Sequence, residues 1–222
     1  TRGKDLKGLR CAVSGSGNVF QYTTEKINHL GGKVITVSDS NGTIVDEEGI
    51  DAKKLAYIID LKEVQRGRIK EYAAKHPKAK YYEGKSVWDV IADGLKIDCA
   101  FPSATQNEID EAHAKAMVAN GCFCVSEGAN MPSNLAAIKV YQGNNVLYGP
   151  AKAANAGGVA TSGLEMAQQS QRLYWSREEV DQKLHYIMKS IHKQCLDAAE
   201  KYGTKGDYLM GANIAGFIKV AK

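Results

Sequence analysis

Short apolar runs alternate with longer amphipathic segments over the first two thirds of the chain. The runs hold four to six residues and are rich in β-branched or aromatic side chains, which is typical of strands buried on both faces. Strands and helices that alternate in this way predict a doubly wound α/β fold with a parallel sheet. The six predicted strands are Leu9–Ser14, Lys33–Ser38, Ala79–Tyr82, Ile97–Pro102, Phe123–Ser126 and Asn145–Tyr148.

The first predicted helix follows Gly17 directly. Its apolar spacing places Val19, Thr23, Ile27 and Leu30 on one face, and a glycine pair ends it. We expect this face to pack on the sheet.

Four further helices are predicted from spacing and end signals. Helical spacing covers Ala52–Leu61 and Val64–Lys75. Thr105 and Glu108 form a capping box that predicts a helix running to residue 121. Ser133 is expected to cap another helix that ends before residue 143.

The pattern changes after Gly149. A Gly/Ala-rich stretch leads into a helix, a second capping box follows, and the rest is helical. We therefore predict two regions, a nucleotide-binding domain at 1–150 and hinge and C-terminal helices at 151–222. The capping box is Ser176 with Glu179, and the stripe after it is Val180, Leu184, Ile187, Ile191, Cys195, Ala198 and Tyr202.

Composition agrees with a soluble globular chain. Hydrophobic residues make up 44% and charged residues 24% of the 222 residues, and no apolar run is long enough to span a bilayer. The five cysteines are odd in number and lack C-x-x-C spacing, which favours buried thiols in a reducing, intracellular compartment.

One stretch concentrates positive charge. Between Lys62 and Lys85 there are eight Lys or Arg residues against three acidic ones. Such a stretch could contact a nucleic acid or a small phosphate, and a solvated helix face explains it equally well.

The strongest chemical signal is the turn after the first strand, Gly15-Ser16-Gly17-Asn18-Val19. The first glycine permits a tight turn, the second lets a pyrophosphate approach the backbone, and the following helix start offers unpaired N–H groups. This context predicts a Rossmann-like dinucleotide site. The third position of the pattern holds Phe20 instead of a small residue, so we expect a shifted helix or an enlarged packing pocket there.

The end of the second predicted strand carries the candidate ribose-reading residues. Asp39 lies 22 residues beyond Gly17, where such folds bind the adenosine ribose. An acid alone favours NAD, whereas Ser40 with Lys62 and Arg68 would suit the 2′-phosphate of NADP. We favour NADP, although the residues alone leave both cofactors open.

Two later strand ends carry small and polar residues, Pro102–Asn107 and Glu127–Asn130. In open α/β sheets ligands bind at this carboxyl edge, where small residues admit a flat nicotinamide. No metal site is predicted, because Cys122 and Cys124 read as buried thiols. His185 and His192 would lie about 10.5 Å apart on one helix, too far to share an ion.

Several segments together resemble one family. They include Ser38–Thr43, Ala104–Glu108, Glu127–Pro132, Gly211–Phe217 and the run KAANAGGVATSGLEMAQ at Lys152–Gln168. With the glycine-rich turn, they are similar to NADP-dependent glutamate dehydrogenases along essentially the whole chain. The resemblance implies reversible conversion of glutamate, water and NADP to 2-oxoglutarate, ammonia and NADPH through an iminoglutarate intermediate.

The resemblance also implies roles for individual residues. Asn18 and nearby backbone N–H groups would hold the pyrophosphate, and Val159 and Ser162 would contact the glutamate side chain. The cofactor-binding set that it implies is Gly15, Ser16, Gly17, Asn18, Val19, Asp39, Ser40, Lys62, Arg68, Ser103, Ala104, Thr105, Gln106, Asn130 and Asn155.

Members of that family are about twice as long, with an N-terminal substrate domain that carries the catalytic residues. We therefore expect this chain to be a cofactor-domain fragment, inactive alone, of a cytoplasmic enzyme that is usually a hexamer. The apolar helical tail is expected to pack partly on the absent domain and to promote association. No nucleic-acid or membrane partner is expected.

Two other classes of function remain open from the sequence. One is an NAD-linked dehydrogenase of another amino acid, against which Ser162 argues because it suits a polar distal group. The other is a non-catalytic module that senses nucleotides or uses the basic stretch to bind nucleic acid.

Overall fold

The computed structural model describes residue 3 and residues 5–221, and it divides into two compact units. The first unit ends at Leu147 and the second begins at Tyr148. In chain order the strands are β1 (Arg10–Val13), β2 (Lys33–Val34), β3 (Thr36–Asp39), β4 (Gly42–Val45), β5 (Lys80–Glu83), β6 (Cys99–Phe101), β7 (Cys124–Ser126) and β8 (Leu147–Gly149).

Helices connect the strands and make up most of the second unit. A π-helical turn, Asp60–Val64, directly continues the second helix. The α-helices are α1 (Asn18–His29), α2 (Ala52–Ile59), α3 (Lys70–Lys75), α4 (Val87–Ala92), α5 (Glu111–Ala119), α6 (Leu135–Gly143), α7 (Ala151–Ala154), α8 (Ala156–Gln171), α9 (Arg177–Lys201) and α10 (Tyr208–Ala221).

The central sheet has five strands in the order β2-β1-β6-β7-β8. The pairs β1–β2, β1–β6 and β6–β7 are parallel, so the predicted α/β fold with a helical C-terminal tail is confirmed. Because β1 lies between β2 and β6, the chain turns that follow these strands gather at one carboxyl edge on both sides of β1.

A second sheet was not predicted. The expected strand Lys33–Ser38 is interrupted at Ile35, and its second half, β3, pairs antiparallel with β4. β5 joins β4 antiparallel, so the segment near Ala79–Tyr82 is not part of the parallel sheet. The interruption has a local cause. The Thr36 hydroxyl accepts a hydrogen bond from the N–H of Val13 and donates one to the C=O of Val13, and these bonds replace backbone bonds between the two strands.

The first helix begins and ends as predicted, but its buried face is different. Phe20, Thr24 and Ile27 are buried, whereas Val19 is 44% and Leu30 48% exposed. Phe20 has no exposed surface and belongs to the hydrophobic core between helix and sheet. The pocket has therefore accepted a large side chain, which contributes about 1.5–3 kcal/mol of hydrophobic burial.

Three other helix predictions need correction. The expected helix Val64–Lys75 is regular only in α3, because Arg66 takes a positive φ and interrupts it. The cap of α5 is Asp110, not Thr105, so the proposed Thr105–Glu108 capping box does not open that helix. Asn134, one residue after Ser133, caps α6.

The second unit is built from α7 to α10. Ser176 and Glu179 form the predicted capping box of α9, and the stripe on that helix packs on α8 and α10. The stripe is buried at Cys195 and Ala198 but 51% exposed at Tyr202, so it is covered within this chain at its Cys195–Ala198 part and open at Tyr202. In the part of the chain that the structure describes, every helix is too short or too polar to span a lipid bilayer.

Candidate functional site

A cleft of about 570 Å³ opens at the carboxyl edge of the parallel sheet in the first unit. The turn after β1 forms its centre, the β3–β4 turn borders one side and the loop after β6 borders the other. Its lining residues are Gly15, Ser16, Gly17, Asn18, Val19, Ser38, Asp39, Ser40, Ser86, Val87, Ser103, Ala104, Thr105 and Glu108.

The glycines of the central turn have different structural reasons. Gly15 has a φ of +87°, and a Cβ there would lie 3.1 Å from the carbonyl oxygen of Ser103. Gly17 has an ordinary φ of −85°, and a Cβ there would meet nothing within 4 Å. Gly15 is therefore required by the protein itself, while at Gly17 the missing side chain leaves space in the cleft.

The start of α1 is suited to an anion. Gly17 is its N-cap and supplies no side-chain cap, so no side chain satisfies the first N–H groups of the helix from that position. These groups and the positive end of the helix dipole face the glycine-rich turn. No acidic residue occupies the first turn of α1 to neutralise that potential.

On the side of β3, Asp39 is engaged within the protein. Its Oδ1 accepts the N–H of Asn41 at 2.9 Å, and its Oδ2 accepts the N–H of Ile69 at 3.1 Å. The Lys62 amine lies 3.8 Å from the same Oδ2. The carboxylate side chain is only 6% exposed, so it fixes the turn and the 65–69 loop.

Ser40 and Arg68 meet at the rim of the cleft. The Arg68 Nη1 donates to the Ser40 hydroxyl at 3.0 Å, and both side chains are exposed. Lys62 is less available, because its amine donates to the carbonyl of Gly67 at 2.9 Å and is mostly buried. The three residues proposed for the phosphate are thus brought together, with Arg68 and Ser40 the ones open to a ligand.

On the other side, a carboxylate holds the loop after β6. Glu108 Oε1 accepts the N–H of Ala104 at 3.2 Å and of Thr105 at 3.3 Å, while Oε2 accepts the indole N–H of Trp88 at 2.7 Å. Burial raises the pKa of Glu108, and bonds from Trp88, Ser14 and the loop only partly offset this. Thr105 and Glu108 are therefore paired as predicted, in a loop and not in a helix cap.

Most of the residues expected around the cofactor border this cleft. Lys62 and Arg68 contact its lining through Asp39 and Ser40. Gln106 and Asn130 are exposed and lie outside its lining. The residues of the expected set that do line the cleft are Gly15, Ser16, Gly17, Asn18, Val19, Asp39, Ser40, Ser103, Ala104 and Thr105.

Four lining residues are not among those expected to bind the cofactor: Ser38, Ser86, Val87 and Glu108. For Ser38 and Ser86 the sequence does carry a local signal. Ser38 precedes the Asp39 turn, and Ser86 with Asp89 forms a capping box that starts the unpredicted helix α4. Glu108 was taken for a helix cap.

The residues proposed for substrate contact belong to the second unit. Val159 and Ser162 lie three positions apart on α8, and both are exposed, Val159 by 74%. The Ser162 hydroxyl donates to the carbonyl of Gly158 at 3.4 Å. Asn155, partly buried, is the N-cap residue of the same helix.

The cysteines carry no metal chemistry that the geometry supports. All five are free thiols, and the described part of the chain holds no cluster of three His, Cys, Asp or Glu that could bind a metal ion. The hydrogen bond with Cys11, together with burial, raises the pKa of Cys99 to about 12, and burial raises that of Cys122 to about 12. Both side chains are therefore unreactive at neutral pH.

Comparison with known proteins identifies the class. The model of the glutamate/leucine/phenylalanine/valine dehydrogenase family matches residues 1–222. The chain belongs to this family of amino-acid dehydrogenases.

Within the family, the chain is most informatively compared with glutamate dehydrogenases. It is 60% identical to the NAD(P)-specific glutamate dehydrogenase of Xylanibacter ruminicola, covering all of this chain and 49% of that protein. It is 50% identical to the NADP-specific enzyme of Escherichia coli, covering 99% of this chain and 47% of that protein. The resemblance to NADP-dependent glutamate dehydrogenases that the motifs indicate is confirmed.

A solved structure agrees with these sequence relatives. The glutamate dehydrogenase of Plasmodium falciparum is 49% identical and superposes with a TM-score of 0.91, over 96% of this chain and 45% of that one. The chain spans about half the length of the curated relatives it matches.

Proposed function

We propose that the first unit binds NADP(H) in the cleft at the end of the parallel sheet. The observation that carries this proposal is the uncapped start of α1 beside the open space at Gly17, with the Ser40–Arg68 pair at the rim. The helix start suits a pyrophosphate, and Arg68 suits the additional phosphate of NADP. The relatives' names, NADP-specific or NAD(P)-specific glutamate dehydrogenase, support the same cofactor.

The engagement of Asp39 supports NADP over NAD. A carboxylate that reads a ribose must turn its oxygens toward the 2′-hydroxyl. Here both oxygens accept backbone N–H groups, and Lys62 compensates the charge. Asp39 thus acts on the shape of the turn, which leaves Ser40 and Arg68 to bind the 2′-phosphate.

In the complete protein we propose reversible oxidative deamination of L-glutamate to 2-oxoglutarate and ammonia. When bound, the nicotinamide would accept or return the hydride of the substrate α-carbon. Ser162 would donate to the distal carboxylate of glutamate and Val159 would contact its methylenes, since both are exposed on one face of α8. Asn155 would contribute to the nicotinamide side.

The remaining parts of the proposal concern the whole protein. We propose that the proton-transferring residues lie in a preceding substrate domain, against which exposed apolar side chains of the second unit, such as Phe217 and Val220, would pack. Such a complete enzyme would be a cytoplasmic homohexamer, and this chain alone would be inactive.

Steady-state assays of the complete protein test the reaction. With NADP we expect turnover of glutamate and at least about a hundredfold lower kcat/KM for leucine, because an apolar side chain would leave the Ser162 hydroxyl without the acceptor that glutamate supplies. The variant Ser162→Ala should raise KM for glutamate. Ser170→Ala is the matched control, since Ser170 also lies exposed on α8 with its hydroxyl bonded to its own helix. Equal turnover of leucine and glutamate would contradict the proposed substrate.

A further inference from the structure

Glu108 lines the cleft and hydrogen-bonds three parts of the first unit: the loop after β6, helix α4 and the end of β1. One oxygen accepts two backbone N–H groups of the Ala104–Thr105 loop, and the other accepts the indole N–H of Trp88 on α4. The Ser14 hydroxyl at the end of β1 also bonds the carboxylate. The backbone and indole N–H groups around the carboxyl are all donors, and an ionised carboxylate accepts from such groups more strongly than a neutral carboxyl does.

The same network reaches the glycine-rich turn. The Ser14 oxygen accepts the N–H of Ser103 at 2.8 Å, so Ser14 links Glu108 to the first residue of the loop. The carbonyl of Ser103 and the Cα of Ala104 approach Gly15 so closely that a Cβ there would lie 3.1–3.2 Å from them. The loop is therefore pressed against the turn, and its position determines the shape of this side of the cleft.

The loop lies on the opposite side of β1 from the phosphate-binding candidates. β1 lies between β2 and β6 in the sheet. The Ser40–Arg68 pair lies in the chain after β2 and β3, whereas Ser103–Thr105 directly follow β6. A dinucleotide with its pyrophosphate at α1 and its 2′-phosphate at Arg68 must direct its other half toward this loop.

We propose that Glu108 is a positioning residue for the nicotinamide half of the cofactor: it holds the Ser103–Thr105 loop in the conformation that receives that half. The proposal rests on NADP(H) binding in the cleft. It assigns Glu108 no contact with the reacting atoms. Its consequence is selective, because removing the carboxylate disturbs one half of the dinucleotide site and leaves the adenosine half intact.

The test compares two ligands on the purified chain by isothermal titration. NADPH occupies both halves of the site, whereas adenosine 2′,5′-bisphosphate occupies only the adenosine half. Glu108→Gln and Glu108→Ala should weaken NADPH binding about tenfold or more, as expected for lost bonds to a charged acceptor. Their affinity for adenosine 2′,5′-bisphosphate should stay within about twofold of wild type.

Control variants separate positioning from general damage. Glu111→Gln removes the same charge from an exposed residue of α5 that pairs with Lys115, and it should bind both ligands as wild type does.

A second substitution that restores NADPH affinity provides a measurement specific to the hydrogen bonds of Glu108. In Glu108→Gln the amide N–H₂ must face either the loop N–H groups or the Trp88 N–H, so one pairing is lost. The double variant Trp88→Phe/Glu108→Gln removes that donor conflict and should recover NADPH affinity relative to Glu108→Gln.

The outcomes distinguish this inference from the proposed function. Equal losses for both ligands, unchanged NADPH binding, or no recovery in the double variant would overturn the positioning role while leaving cofactor binding intact. If the wild-type chain bound neither ligand, cofactor binding in the cleft would be wrong and the positioning role with it.

Discussion

The open space at Gly17 allows a single methyl group to test the site without disturbing the fold. Gly17→Ala adds a Cβ that meets no protein atom within 4 Å, at a residue whose φ of −85° suits alanine. The methyl would point into the space where we place the pyrophosphate. We therefore expect a variant that folds normally and binds NADPH poorly.

The magnitudes follow from the two environments of the methyl group. In the protein, reduced freedom of the unfolded chain stabilises by about 0.4–1 kcal/mol, while alanine is a poorer N-cap than glycine by about as much. The free energy of unfolding should thus change by less than about 1 kcal/mol. In the complex, losing one charge-assisted hydrogen bond costs about 1.5–3 kcal/mol, which corresponds to about 10- to 100-fold weaker binding.

The assay is fluorescence titration with NADPH, alongside urea unfolding of the same samples. Gly143→Ala is the matched control, because its added Cβ also meets nothing within 4 Å and it lies at the end of α6, outside the cleft lining. We expect wild-type affinity in that variant. Wild-type affinity in Gly17→Ala would refute the placement of the pyrophosphate, and unfolding of Gly17→Ala would refute the assignment of its space to a ligand.

Three further predictions concern the folded state. Asp46→Asn should destabilise the first unit by about 3 kcal/mol, because Tyr72 donates to this buried carboxylate at 2.5 Å and Lys54 at 2.7 Å. Burial opposes ionisation of Asp46, but these bonds outweigh burial and lower the pKa of Asp46 in the folded protein. Its contribution to the free energy of unfolding is therefore complete above the ordinary carboxyl pKa, and it is lost as the pH falls through the lowered pKa of the folded state. Urea unfolding at pH 7 and pH 3 should therefore show a smaller difference between variant and wild type at pH 3. Iodoacetamide at pH 8 should leave Cys99 unmodified in mass spectra until the chain unfolds, since its pKa is raised to about 12. Gly211→Ala should lower the melting temperature, because its Cβ would lie 2.1 Å from the Cys195 carbonyl oxygen where α10 crosses α9; an unchanged melting curve would contradict that packing.

Local signals predicted the parts of the fold that depend on neighbours in sequence. The glycine-rich turn, the start of α1 and the capping box at Ser176 depend on a few adjacent residues, and each is found where the pattern places it. The buried face of α1 was assigned wrongly because helical spacing fits both Val19 and Phe20 as starting points. Which one is buried depends on the sheet packed against the helix, which spacing along one helix does not reveal.

The second sheet shows the same limit for strands. Asp39 and Gly42 flank the two-residue turn Ser40-Asn41, and the Asn41-Gly42 pair where that turn meets β4 is a turn signal that could have predicted the hairpin. The pairing of β5 with β4 joins residues about forty positions apart, so no local pattern reports it. The parallel strands were easier to predict, because strand–helix alternation itself implies their direction.

In the candidate site, the residue types in the sequence indicated which side chains border the cleft better than they indicated what each side chain does there. Asp39 borders the cleft as expected, yet its oxygens are used by Asn41 and Ile69, a role that only the folded loop creates. The capping-box motif paired Glu108 with Thr105. The Thr105 N–H does donate to the Glu108 carboxylate, but the pair starts no helix, because Asp110 caps α5. Both carboxylates shape the loops that border the cleft.

The central claim is that this cleft recognises the 2′-phosphate of NADP(H) through Ser40 and Arg68. The most direct measurement is the ratio of the dissociation constants for NADH and NADPH in wild type and in Arg68→Ala. Lys70→Ala is the control, since Lys70 is an exposed cation two residues away that lies 3.7 Å from Glu83. We predict a ratio of at least about ten in wild type and in the control, and a ratio near one in Arg68→Ala. Equal binding of the two nucleotides by wild type, or an unchanged ratio in Arg68→Ala, would contradict it.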